Sequence, residues 1–182
     1  FHTLRSLGVN RLSIGVQSLA NETLHILGRQ HDARQAKNAL ALARQAEFRN
    51  ISLDLIWGTP GQRLKLWLDE LKEIVELEPG HLSCYGLTLE PGTPLSIACL
   101  GEKSALPPLP SDDECAKMFI YGSEFLESRG YLHYEISNFA RMGFSCHHNL
   151  GYWEGKEYLG LGPSATSTMQ SSSSSTTRPP DP

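Results

Sequence analysis

Cysteine is scarce in this chain: four among 182 residues, Cys84, Cys99, Cys115 and Cys146, with no two close together. That excludes a disulfide framework and points to a reducing compartment. Positive charge is equally short. Lys and Arg number 16 against 20 Asp and Glu, a net charge of −4, and no basic run occurs. The electrostatic footprint of a nucleic-acid binder is therefore missing. No apolar stretch approaches the length of a membrane span, and the opening residues do not read as a signal peptide. What is left is a globular domain, and the length suffices for one with a real core. The ends offer little to fold on. Phe1 lies inside what reads as a helix running to Gly8, and the chain closes in a Ser/Thr/Pro tract from Ser171 to Pro182. Such a tract cannot bury enough apolar surface to order itself. The expectation is a piece of a longer protein with a disordered tail over 167–182.

Between those ends, strand and helix patterns alternate. Arg11 to Val16 places Leu12, Ile14 and Val16 on one face and Ser13, Gly15 and then Gln17 on the other, which reads as a strand. Asn21 is a candidate cap for a short helix that stops at Gly28, and Asp32 caps a second one with Ala36, Ala39, Leu40, Ala43 and Phe48 inward. Ile51 to Trp57 is a second strand ending in the turn Gly58-Thr59-Pro60-Gly61. Leu64, Trp67, Leu68, Leu71, Ile74 and Val75 recur at helical spacing until Pro79-Gly80. Leu82 to Leu89 is a third strand, and Glu90 to Pro110 reads as irregular. Ser111 and Glu114 form a capping box for a helix burying Cys115, Met118, Phe119, Gly122, Phe125 and Leu126. Tyr131 to Ile136 reads as a fourth strand. The fold class is α/β, with a parallel sheet and right-handed crossovers, too few units for a closed eight-stranded barrel and so a partial one.

In such a barrel, ligands lie at the carboxyl ends of the strands, so the small polar face of the first strand would meet them. On the second strand Ser52 and Asp54 share a face, and Asp54 is the one charge in an apolar run. A buried carboxylate needs a partner, and Arg29 is a candidate, directly or through a ligand. A structural salt bridge explains the pair about as well. The turn Gly58 to Gln62 lacks the lysine of a P-loop and the glycine spacing of a dinucleotide site, so it reads as an ordinary strand-to-helix turn. Cys146-His147-His148-Asn149-Leu150-Gly151-Tyr152-Trp153 is the densest cluster of functional side chains. It suits a metal or heme ligand, yet a packed corner explains it equally, and zinc lacks a fourth ligand at fixed spacing.

Several runs, in order, resemble the radical S-adenosylmethionine (SAM) proteins of the oxygen-independent coproporphyrinogen III oxidase-like group. They are Gly8 to Ser18 (GVNRLSIGVQS), Leu27 to His31 (LGRQH), Asp54 to Gln62 (DLIWGTPGQ), Leu82 to Pro94 (LSCYGLTLEPGTP), Tyr134 to Arg141 (YEISNFAR) and Tyr158 to Ala165 (YLGLGPSA). His148-Asn149-Leu150-Gly151-Tyr152-Trp153 matches the HNxxYW pattern of that group's heme chaperone (HemW-type) branch. The resemblance implies a partial (β/α)6 radical SAM barrel, of which this chain holds the C-terminal half and the start of the following α+β extension. Its expected divisions are 1–95 for the half-barrel, 96–166 for the barrel end and HNxxYW region, and 167–182 for the tail. It also implies three cofactors: S-adenosyl-L-methionine, a 4Fe–4S cluster and heme. By motif, Gln17, Arg29, Asp54 and Gly86 would surround S-adenosylmethionine. His148 would ligate heme iron, with Cys146 a weaker candidate, and Asn149, Tyr152 and Trp153 would lie in the heme region.

The family's CxxxCxxC cluster motif is absent, since none of the four cysteines has that spacing, and Thr166-Ser167 stands where the family places His-Ser. This chain alone is therefore expected to carry out no radical chemistry. The implied function is heme binding and transfer to an acceptor protein, in the cytoplasm or, given an upstream transit peptide, the mitochondrion. The alternative is an enzyme, a coproporphyrinogen III oxidase (dehydrogenase). A third reading is an unstable half-barrel whose open edge invites aggregation.

Overall fold

A computed structural model describes residues 1–101 and 104–169, so the tail expected to be disordered falls, from residue 170 on, outside the described residues. The chain divides into two compact units, Phe1–Ser145 and Cys146–Pro182. In the first unit the elements run α1 (His2–Ser6), β1 (Arg11–Gln17), α2 (Asn21–Ile26), α3 (Ala33–Gln45), β2 (Asn50–Trp57), α4 (Leu64–Glu76), β3 (His81–Gly86), α5 (Pro94–Leu100), α6 (Asp112–Ser128), β4 (Leu132–His133) and β5 (Asn138–Ala140). The second unit holds α7 (His147–Trp153), and Tyr158 bridges Thr168 antiparallel.

The sheet order is β1-β2-β3-β5-β4. β1, β2 and β3 are parallel, joined by helical crossovers, while β5 runs antiparallel to β3 and β4 antiparallel to β5. Apolar alternation builds the core on one face. Val16, Ile51, Leu53, Leu55, Leu82 and Cys84 pack against Ala36, Leu40 and Ala43 of α3, Trp67, Leu71 and Ile74 of α4, and Met118 and Leu126 of α6. Two close approaches pin this layer. A Cβ on Gly122 would come within 2.5 Å of Trp67 Nε1, and that indole N–H donates to the Met118 carbonyl at 3.2 Å. Asp32 caps α3 through a complete capping box with Gln35.

Five local expectations need correction. The fourth strand is a two-residue β4 and then β5, because Tyr134 to Ser137 turns the chain back without a helix and so forces antiparallel pairing. The stretch expected to be irregular contains α5, with Thr93 Oγ1 accepting from Ser96 N and Pro94 at the first helical position. Asn21 is not the cap of α2. That place is held by Ala20, and Asn21 Oδ1 instead accepts from Ala33 N at 2.9 Å. The box at Ser111 is half formed. Ser111 Oγ accepts from Glu114 N, but the Glu114 carboxylate reaches across to Leu64 N at 2.9 Å and so satisfies the start of α4. On the same helix Phe119 is 40% exposed rather than buried. No helix among the described residues is long and apolar enough to cross a membrane.

Candidate functional site

The sheet face away from the helices carries the polar residues. Register sets Ser13, Ser52 and His81 side by side in one row, and Gly15, Asp54 and Ser83 in the next. Ser13 and Gly15 are exposed, Asp54 is half-buried, and Ser52, His81 and Ser83 are buried. The Asp54 carboxylate accepts from Ser13 Oγ at 2.9 and 3.0 Å and from Ser52 Oγ at 3.2 Å. Ser52 Oγ also lies 2.8 Å from His81 Nδ1, and His81 Nε2 lies 2.7 Å from the Tyr134 hydroxyl. Burial, with the Arg11 charge adding to it, holds His81 down to about 4, so its ring is neutral.

The residues singled out at strand ends are placed in three ways. At Gln17 a register shift breaks the β1 ladder, and φ is +64°, rare for a residue with a side chain. Ser18 N–H donates to the Val16 carbonyl at 2.8 Å, a three-residue turn that carries the Gln17 amide back over Gly15. A Cβ on Gly15 would lie 2.6 Å from Gln17 Nε2, so glycine there is what makes room for the amide. Arg29 is exposed after α2 and forms no ion pair with Asp54 among the described residues, whose two serines take the place of the expected cation. Gly86 is small for a neighbour within the protein: a Cβ would meet the Trp57 ring at 3.2 Å. Trp57 Nε1 in turn donates to the Cys84 carbonyl at 3.2 Å.

Sequence reasoning did not single out Glu70. Its carboxylate, half-buried on α4, accepts from Ser18 Oγ at 2.5 Å, Leu19 N at 2.6 Å and Gln62 Nε2 at 3.4 Å. Gln62 Oε1 accepts from Gly58 N at 2.7 Å. One carboxylate thus ties the loop after β1 and the loop after β2 to one helix. Burial raises its pKa, opposed by the bonds from Ser18 and Leu19. The only sequence signal was an acid three residues beyond buried Trp67, one step off the apolar stripe.

In the second unit, His148 and Tyr152 are one helical turn apart on α7, rings 4.6 Å apart and edge to face, and Tyr152 meets Tyr158 in the same way at 4.6 Å. His147 and His148 are exposed, and Trp153 is 60% exposed. The hollow here, about 180 Å³ between His147, His148, Tyr152, Lys156 and Tyr158, is smaller than an ordinary ligand pocket. A porphyrin would therefore rest on the exposed face of α7 rather than inside it. An exposed imidazole beside aromatic rings fits that role. Asn149 is half-buried on the same helix, and half-buried Cys146 is its N-cap residue. For an iron–sulfur cluster the residues do not fit. Among those described, no group of three or more His, Cys, Asp or Glu could hold a metal. The Asp54 carboxylate, Gln17 amide and Ser13 hydroxyl do fit the amino and hydroxyl groups of S-adenosylmethionine.

Residues 1–77 match the model of the radical SAM superfamily. The heme chaperone HemW of Escherichia coli is 44% identical over 155 residues, 85% of this chain and 39% of that protein. The mitochondrial radical S-adenosyl methionine domain-containing protein 1 of Mus musculus is 44% identical over 158 residues, 87% of this chain and 35% of that protein. Among solved structures, the coproporphyrinogen III oxidase HemN of Escherichia coli, a radical SAM enzyme, superposes with a TM-score of 0.74 at 27% identity, covering 91% of this chain and 40% of that one. The chain thus spans about two fifths of the length of the proteins it matches.

Proposed function

This chain belongs to the radical SAM superfamily, and from that premise we propose that the protein binds heme and passes it to an acceptor protein, using S-adenosylmethionine held on the polar face of the half-barrel. The observation that carries the reading is α7, which exposes an imidazole at His148, Tyr152 packed edge to face against it one turn on, and Trp153 at the helix end. The His148 imidazole would hold the heme iron, and the Tyr152 and Trp153 rings would offer apolar surface to the macrocycle. Surface placement suits a carrier, because a heme that must leave again is better held against an open face than sealed in a core. The 44% identity to a heme chaperone supports the same reading.

On the half-barrel, Asp54 accepts from an ammonium or a hydroxyl of S-adenosylmethionine and Gln17 supplies an amide. Arg29 meets the methionyl carboxylate with a planar guanidinium, and Gly86 leaves the end of β3 low. In the radical SAM superfamily a 4Fe–4S cluster supplies electrons for cleaving that cofactor, and its three-cysteine motif is absent from this sequence. The likeness to a solved coproporphyrinogen III oxidase favours one second reading, oxidative decarboxylation of that porphyrinogen.

Hemin titration followed at the Soret band, on the protein and on His148→Ala, tests the carrier reading. A bound spectrum that shifts or vanishes in the variant supports it. Absence of binding, or binding indifferent to His148, overturns it and makes coproporphyrinogen III turnover the next assay.

A further inference from the structure

The hydrogen bonds behind Asp54 have one consistent assignment of protons. A carboxylate only accepts, so Ser52, 3.2 Å from Asp54 Oδ1, must give it the single hydroxyl proton. The Ser52 oxygen is then free only to accept, and the atom 2.8 Å away is His81 Nδ1, which must carry the ring proton. The ring is neutral, with its pKa held near 4 by burial first and Arg11 second, so Nε2 is bare and accepts from the Tyr134 hydroxyl at 2.7 Å. The chain runs one way: Tyr134 O–H to His81, His81 Nδ1–H to Ser52, Ser52 O–H to Asp54. Ser13 Oγ, within 3.0 Å of both carboxylate oxygens, closes the other side.

Holding polar groups in this row is costly. His81 is 1% exposed and Ser52 fully buried, on a sheet whose opposite face packs Ile51, Leu53, Leu55 and Leu82 into the core. Apolar side chains at those two positions would fold at least as well, so the row is explained by what stands at its end, the half-buried carboxylate on the open face. We propose that His81 and Tyr134 are positioning residues for Asp54, acting through Ser52 to fix the plane of its carboxylate and the lone pairs left for a bound ammonium or hydroxyl. This rests on the reading that Asp54 holds S-adenosylmethionine. Neither residue touches the ligand. The relay joins three elements distant in sequence, β2, β3 and the turn after β4, so it forms only when the sheet has closed.

The test uses the full chain labelled with 15N-histidine, and the variants Tyr134→Phe and Asp54→Asn. Long-range 1H–15N spectra near pH 7 report the His81 tautomer, and calorimetry reports S-adenosylmethionine affinity. The expected result is the Nδ1–H tautomer in the wild type. Tyr134→Phe, which removes one oxygen and leaves the ring in place, should bind roughly three- to tenfold more weakly at a temperature where the variant is fully folded, well below its melting midpoint. The Nε2–H tautomer would overturn the relay whatever the affinities. If Asp54→Asn loses the ligand while Tyr134→Phe binds like the wild type, positioning is refuted and the Asp54 site stands. If Asp54→Asn also binds like the wild type, the site reading falls and takes the proposal with it.

Discussion

Placing one methyl group on Gly122 should unseat the largest side chain in the core. Alanine there would bring Cβ to 2.5 Å from Trp67 Nε1, 3.4 Å from its Cδ1 and 3.5 Å from Leu71 Cδ1. The first contact is far inside van der Waals distance, and Trp67 is 2% exposed in a close-packed core. Overpacking of this kind costs about 1–3 kcal/mol. Moving the indole also breaks its 3.2 Å bond to the Met118 carbonyl and leaves a buried N–H unpaired, a further ~1–3 kcal/mol. Alanine's better helix propensity returns about 1 kcal/mol. The net loss is roughly 1–5 kcal/mol, a fall in melting temperature of ~2–20 °C for a unit of this size. Calorimetry would read it, with tryptophan emission reporting the ring's displacement. The double variant Gly122→Ala, Trp67→Phe, which has no N–H to orphan, should recover part of the loss. A Gly122→Ala protein that melts within a degree of the wild type with unchanged emission would refute the packing argument.

Three further outcomes follow from the polar face and its supports. His81 titrates near 4 in the fold against 6.5 when free, so the folded state binds fewer protons between those values. Stability should therefore be whole above pH 6.5 and fall, by on the order of 3 kcal/mol, as pH drops through 4. Denaturant melts of His81→Gln between pH 4 and 6.5 should lose that slope, and an unchanged slope would exclude His81 as its source. Glu70→Ala leaves Leu19 N and Gln62 Nε2 without their acceptor and should cost about 2–4 kcal/mol, with amide exchange rising in the loops after β1 and β2; protected loops would sink the latch. Gly15→Ala collides only with the flexible end of Gln17, so stability should shift by no more than ~0.5 kcal/mol. S-adenosylmethionine affinity should still drop, because the amide is pushed off the face; equal affinity would remove Gln17 from the site.

Many features that depend on residues close in sequence were legible there, although the Thr93-capped α5 was not. The Asp32 cap, the alternation in β1 and β2 and the stripe Trp67, Leu71, Ile74 all follow from spacing, and the structure holds each of them. The six quoted runs were enough to name the family, and so the half-barrel. Most of what stayed hidden was settled by partners far along the chain. Glu114 fits a capping box by spacing, but the open N–H of Leu64, 50 residues earlier, takes its carboxylate. The cation expected beside Asp54 gave way to two serines, one of them 41 residues away, a choice no local pattern encodes. His81 and Tyr134 lie 53 residues apart, and neither stood out in its own stretch. Trp57 in the space at Gly86 likewise needed β2 and β3 paired before it could be seen.

The left-handed backbone at Gln17 sets two pressures against each other. Its φ of +64° suits glycine, and asparagine next best, at the very residue whose amide is laid back over the polar face. Drift toward glycine there would be favoured by folding and opposed only by the need for the amide. Position 17 is thus a natural recorder of selection. In lineages that keep the site in use it should hold a carboxamide against its own conformational preference. Where use has lapsed, glycine should appear there before the surrounding core shows any sign of decay.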